Sequence, residues 1–215
     1  YEQMNEIMNG EIGKKVFERI AQEQGVLPLS AYYLGTRQLN LIEDKEVKVP
    51  ADLHGVNLRM PTSESWIKLG QAMGANPTPV AFSELYLALQ TKTVDGQENP
   101  LPTVIKAKFY EVTKSITITN HLVDQVWPTI NSGVWNGFTD EQKGWVLQAI
   151  EAGRKTCDEQ NLNTEKEAVD FLKQQGIKVY EADIDAFQKT VKEAYLADKD
   201  FVKDWDMTLF EEISK

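Results

Sequence analysis

LRMPTSESWIKLGQAMGANPTPVAFSELYLALQTKTVDGQEN, residues 58–99, decides the fold. A short apolar run, Val56 to Leu58, ends at Arg59, just before Pro61. Thr62 and Ser63 then supply oxygens that can cap a helix carrying Trp66, Ile67, Leu69 and Met73, and Gly74 stops it. A second short run, Pro79 to Phe82, leads through Ser83 to another helix over 84–90. The segment closes on Asp95-Gly96-Gln97-Glu98-Asn99-Pro100, which reads as irregular. Twice, then, a strand feeds a helix N-terminus, where unpaired N–H groups and partial positive charge gather. An arginine at such a strand end has two readings. It seats an anion, or it makes a structural salt bridge.

Composition bounds the rest. The 215 residues allow one large domain or two small lobes. Hydrophobic content of 41% and charged content of 26% are those of an ordinary water-soluble fold. No apolar run is long enough to cross a bilayer. The formal net charge of −10 argues against nucleic acid as a partner, because that needs a basic face. Cys157 is the only cysteine, so no intramolecular disulfide forms, and in a helical stretch it reads as a small buried hydrophobe. The opening YEQMNEIMNG reads as the middle of a helix, the pattern of a processed or truncated N-terminus.

Outward from the central stretch, apolar residues recur at helical spacing over 4–24, ending at Gly25. VLPLSAYYL, 26–34, is strand-like but broken by Pro28, and Gly35-Thr36-Arg37-Gln38 follows as a polar turn. Residues 43–48 form a charged loop, and 50–55 a short helical turn. After Asn99, 103–110 reads as a helix and SITIT, 115–119, as a strand with one buried face. QVWPTI, 125–130, is a further short strand in which Pro128 favours an edge. Thr139 with Gln142 forms a capping box for a long helix, followed by a further helical run over 165–174. A last strand over 177–180 and helices over 183–196 and 201–213 close the chain. Strands alternating with helices indicate an α/β fold with a largely parallel sheet.

Chemistry-bearing motifs are scarce. The two histidines, His54 and His121, lie far apart, and no zinc motif, P-loop, dinucleotide fingerprint or nucleophile elbow occurs, so the sequence calls for no metal or cofactor. Binding without reaction is the reading, and the chain is not expected to be an enzyme. Arg37, Arg59 and Asn99 stand out because each sits at a strand end or in a strand-to-helix turn, where open α/β sheets bind ligands. Two arginines there would neutralise a carboxylate bidentately, and Asn99 would add a donor and an acceptor. Asn99 reads equally as an Asn-Pro turn residue.

Several runs together carry a resemblance. GTRQ at 35–38, LHGVNLRMP at 53–61, MGANPTPVAFSELYLALQTKTVDGQENPL at 73–101, KFYEV at 108–112 and TNH at 119–121 resemble the solute-binding proteins of TRAP (tripartite ATP-independent periplasmic) transporters. The combination of A-x-P-T-P, F-S-E-x-Y-x-A-L-Q and V-D-G-Q-E-N-P is long and specific.

The resemblance implies an α/β periplasmic binding protein of two lobes joined by a hinge, enclosing an organic acid. It implies that Arg59 makes the main salt bridge to the carboxylate. In the sialic-acid branch, to which GTRQ and the Phe82 position are similar, Arg37 and Asn99 add polar contacts. Trp127 falls where the family places a pocket-facing aromatic, although by itself it reads as core. The implied partners are a small organic acid and the TRAP membrane permease, and the implied location is periplasmic or otherwise extracytoplasmic.

A sugar acid such as a sialic or uronic acid fits this pattern. A C4-dicarboxylate or keto acid is the alternative, with Arg37 as the second cation. An enzyme acting on a sugar acid, or a sensory or scaffold protein, are readings of other classes. Family members begin with a signal peptide and a β-α-β portion that this sequence lacks. The expected lobes are therefore an incomplete first one, 1–34 with 125–162, and a second, 35–124 with 163–215, with oligomer formation as one way to cover the incomplete lobe.

Overall fold

The computed structural model describes residues 1–213. In chain order the elements open with α1 (Glu2–Met8), α2 (Glu11–Gln24), β1 (Val26–Pro28), β2 (Tyr32–Leu41) and β3 (Asn57–Met60). They continue with α3 (Glu64–Ala72), β4 (Asn76–Pro79), α4 (Leu85–Gln90), β5 (Gly96–Pro100), α5 (Leu101–Lys106) and β6 (Ser115–Val126). The remainder is β7 (Thr129–Asn131), α6 (Ser132–Asn136), α7 (Asp140–Gln174), β8 (Lys178–Glu181), α8 (Ile184–Ala197), α9 (Lys199–Val202) and α10 (Met207–Ile213). The chain divides into two compact units, Tyr1–Gly35 with Val123–Lys166, and Thr36–Leu122 with Glu167–Lys215.

In the first unit, the periodicity over 4–24 resolves into two helices rather than one. Asn9 interrupts it because its side chain is committed elsewhere. Its amide donates to the Ala31 carbonyl at 3.0 Å, and its oxygen accepts from Ser30 Oγ and Ala31 N, each at 2.9 Å. Gly13 lets the two helices meet, since a Cβ there would lie 1.8 Å from the Met8 carbonyl oxygen. Gly25, at φ 71°, ends α2 in a left-handed cap. β1 and β7 pair antiparallel, Leu27 opposite Ile130.

QVWPTI is not one strand. Trp127-Pro128 separates β6 from β7, because a proline cannot continue the ladder. The Thr139–Gln142 capping box forms, with both reciprocal bonds at 2.9 and 3.2 Å. The helix it opens, α7, runs unbroken for 35 residues, so 165–174 is its last part rather than a separate helix. Inside this unit, Asp158 accepts from Tyr33 N at 2.7 Å and Asn161 donates to Tyr33 O at 2.7 Å, which fastens α7 to the start of β2.

The second unit holds a six-stranded sheet in the order β4-β3-β5-β2-β6-β8. β3 is parallel to β4 and β5, and β6 is parallel to β8, but β2 runs antiparallel to β5. The sheet is therefore mixed. Strand alternation sends Leu39, Leu41, Leu58 and Met60 into one core with Leu69, Met73 and Phe187 from the helices α3 and α8 and their flanks. Leu85, Leu89, Val104, Phe109, Ile116 and Leu172 form a second core.

Two polar segments differ from the sequence expectation. Gly35-Thr36-Arg37-Gln38 is no turn, since it lies within β2. The segment from Gly96 to Pro100 is no irregular loop either: it is β5, buried at every residue and paired on both sides. Gly96 is there for close approach rather than for a turn, because a Cβ would meet Leu41 Cδ2 at 2.4 Å and the Asn40 carbonyl oxygen at 2.7 Å.

Candidate functional site

The register of the second unit collects the predicted polar residues at one end of its sheet. Arg59 lies near the carboxyl end of β3 and is the partner of Gln97 on β5. Asn99 lies near the carboxyl end of β5 and is the partner of Gln38 on β2, with Arg37 opposite Pro100. Arg59, Arg37 and Asn99 thus come together, as ligand sites in open α/β sheets require.

Arg59 is 2% exposed. Its Nε donates to the Val80 carbonyl at 2.8 Å, and among the described residues no carboxylate pairs with its guanidinium. Alternation places it on the sheet face opposite Leu58 and Met60. Burial pushes its pKa down to about 10, with Glu98 opposing that shift and Arg37 adding to it. It remains charged at neutral pH. The result is a buried cation with most of its fork uncommitted.

Arg37 is in a different state. It forks onto Glu98: Nε pairs with one carboxylate oxygen, and a terminal nitrogen reaches the other at 2.7 Å and the Glu98 carbonyl at 2.6 Å. The same nitrogen donates to Asn99 Oδ1 at 3.2 Å. Its guanidinium carbon lies 4.4 Å from the centroid of the Trp66 ring, in cation–π geometry. On the far side of Glu98, His121 Nε2 approaches at 3.1 Å, while His121 Nδ1 meets Thr119 Oγ1 at 2.8 Å. Burial pushes the Glu98 carboxyl up, but the bonds and charges of His121 and Arg37 outweigh it and hold it below the ordinary carboxylate value.

Asn99 donates to Gln97 Oε1 at 2.5 Å, Gln97 donates to Asn40 Oδ1 at 3.0 Å, and Asn40 donates to the Ser115 carbonyl at 2.9 Å. Gln38 braces the neighbouring strand. Its oxygen accepts from Thr119 N and Asn120 N, each at 2.9 Å, and its amide donates to Asn120 Oδ1 at 2.7 Å, where Asn120 is held at φ 43°.

Phe82 is 51% exposed, in the helical turn after Val80, with its edge toward Phe109 at 5.8 Å between centroids. Trp127 belongs to the first unit and packs edge-to-face on Phe17 at 5.4 Å, with its indole Nε1 buried and without a hydrogen-bond partner among the described residues. Glu98, Gln97 and His121 were not singled out by type or spacing. Their one sequence signal is the polar run Gln97-Glu98-Asn99, which is too polar for a central strand unless its side chains pair across the sheet.

Comparison with known proteins adds to this geometry. The family model for bacterial extracellular solute-binding protein family 7, DctP, matches residues 1–200. The sialic acid-binding periplasmic protein SiaP of Vibrio cholerae is 32% identical over 195 residues, covering 91% of this chain and 60% of that protein. A TRAP periplasmic solute-binding protein from Roseobacter denitrificans, crystallised with 3-deoxy-D-manno-oct-2-ulosonic acid (KDO), is 43% identical with a TM-score of 0.94, over 99% of this chain and 70% of that one. A second protein from the same species, crystallised with L-galactonate, is 31% identical with a TM-score of 0.86, over 97% and 69%. The chain spans about 60% of the length of the curated relatives it matches.

Proposed function

The chain belongs to bacterial extracellular solute-binding protein family 7, and on that premise we propose that it is the sugar-acid-binding part of a TRAP receptor. The observation that carries the reading is Arg59, a buried guanidinium that among the described residues has a single hydrogen bond, to a backbone carbonyl, and no counterion. A ligand carboxylate supplies that counterion. Two parallel N–H···O bonds to a charged acceptor are worth about 1.5–3 kcal/mol each, so the seat contributes roughly two to four orders of magnitude in affinity.

A sugar acid is favoured over a dicarboxylate. The second cation, Arg37, already has Glu98 across its fork, so a second carboxylate would have to displace a buried, doubly bonded glutamate. The acids crystallised with the two Roseobacter relatives each carry one carboxylate. In this proposal Asn99 adds a polar contact, Phe82 offers the ligand an apolar surface, and Arg37 holds Glu98 and Asn99 in place. Trp127 enters through the resemblance alone, as an aromatic contact from the first unit. A membrane permease receives the ligand on the extracytoplasmic side. No chemical step is involved.

Calorimetric titration of the intact protein with KDO, sialic acid, glucuronate and succinate tests this. One of the three sugar acids binds, and Arg59→Ala weakens it at least about 100-fold. Arg59→Lys recovers only part, since an ammonium cannot reproduce the fork. Binding of succinate alone would assign the second carboxylate to Arg37 and overturn the preference. An Arg59→Ala protein within about threefold of wild type would remove Arg59 from the site.

A further inference from the structure

The three side-chain amides of Asn99, Gln97 and Asn40 run in one direction. Asn99 donates to Gln97, Gln97 to Asn40, and Asn40 to the Ser115 carbonyl. A side-chain amide can usually be turned over, exchanging its donor and acceptor ends. Here neither end of the series permits it. The Ser115 carbonyl only accepts, so Asn40 must present its NH2 there and its oxygen to Gln97. At the other end Arg37 only donates, so Asn99 must present its oxygen to the guanidinium. Gln97 is caught between, and both Gln97 and Asn40 are fully buried. Asn99 is left with its second amide hydrogen uncommitted among the described residues, at 4% exposure.

We propose that Asn40 and Gln97 are positioning residues that fix Asn99 as a hydrogen-bond donor toward the ligand, and so select acids with an oxygen on the carbon next to the carboxylate. This rests on the carboxylate seat at Arg59. The register supports the pairing of the two contacts. Gln97 is the cross-strand partner of Arg59, and Asn99 lies one side-chain repeat further along the same face, toward the carboxyl ends of β3 and β5. An oxygen there accepts from Asn99, whereas a methylene would leave the amide hydrogen buried and unpaired.

The test compares L-galactonate with 2-deoxy-L-galactonate, in which the carbon next to the carboxylate is a methylene, on the intact wild-type protein and on Asn40→Leu and Asn40→Asp. Aspartate in either protonation state still accepts from Gln97, so it preserves the direction of the series, while leucine removes the anchor. Wild type and Asn40→Asp are expected to prefer L-galactonate by about tenfold or more, and Asn40→Leu by about threefold or less. If Asn40→Leu weakens both ligands equally and keeps the ratio, Asn40 is merely structural and the proposal fails. Side-chain amide hydrogen exchange of Gln97 and Asn99, read by NMR without ligand, is slow in wild type and Asn40→Asp and faster in Asn40→Leu. Equal exchange in all three also overturns it. Failure of L-galactonate to bind wild type would count against the carboxylate seat, and the exchange measurement would still decide the amide series.

Discussion

Replacing Glu98 by glutamine tests the electrostatic design of the site. Glu98 is fully buried, takes the fork of Arg37 and meets His121 Nε2 at 3.1 Å. Glutamine keeps the shape and removes the charge. Arg37, 5% exposed at its side chain, then has no carboxylate from Glu98, and Arg59 loses the one neighbour that favours its charged form. Breaking a buried ion pair from one side costs about 3–5 kcal/mol. In a chain of this size each kcal/mol lowers the melting temperature by about 2–4 °C, so a fall of roughly 6–20 °C is expected at neutral pH.

The pH dependence has a definite sign. The folded carboxyl is held below its ordinary value of 4.5, so its stabilisation is present above that value and is lost as pH falls through the folded value. The gap between wild type and Glu98→Gln should therefore narrow on acidification. A sugar acid should also raise the melting temperature of the variant more than that of wild type, because the ligand's charge offsets two adjacent buried guanidinium groups. Thermal unfolding at neutral pH and below 4.5, with and without ligand, reads all three quantities. A variant melting within about 2 °C of wild type, or a gap independent of pH, would refute the reasoning.

Three further outcomes follow from local geometry. Gly13→Ala gains about 1 kcal/mol of helix propensity, but its Cβ meets the Met8 backbone oxygen at 1.8 Å, so the clash prevails and thermal unfolding shows a net loss of about 1–3 kcal/mol. Thr139→Ala removes the hydroxyl that accepts from Gln142 N and lowers stability by about 1 kcal/mol in urea unfolding, with faster amide exchange confined to the first turn of α7. Trp127→Phe deletes a buried indole N–H that has no partner while keeping a ring against Phe17, so the loss of packing and the relief of the orphaned donor nearly cancel, and stability changes by less than about 1 kcal/mol.

The elements whose signals are local were legible in the sequence. The capping box at Thr139 and Gln142 needs only residues three apart, and it forms as read. Gly25 ends α2 as its position predicts. The placement of Arg59 at a strand end before a helix followed from one short apolar run and its neighbours, and β3 followed by α3 bears it out, although Ser63 at the helix N-terminus makes no side-chain capping bond.

Asp95-Gly96 opens a segment that reads as irregular because loop-forming residues are all that a local window offers. The window could not show that β2 passes so close to Gly96 that no side chain fits.

The sequence by itself determined the α/β class, most strand and helix positions, the absence of known catalytic motifs and the specific runs that resemble a solute-receptor family. The tertiary structure decided what the polar residues do. A strand reading GQENP is stable only if each buried donor and acceptor finds a partner, and those partners, Asn40 and Arg37, lie 57 and 61 residues away from Gln97 and Glu98. The two arginines likewise look alike in sequence. One is neutralised by Glu98 and the other has no counterion among the described residues, because the parallel register opposes Arg59 to an uncharged glutamine while Glu98 is in reach of Arg37. Which arginine is free to take an anion is a property of cross-strand register, and register is set by the whole sheet rather than by any stretch of chain.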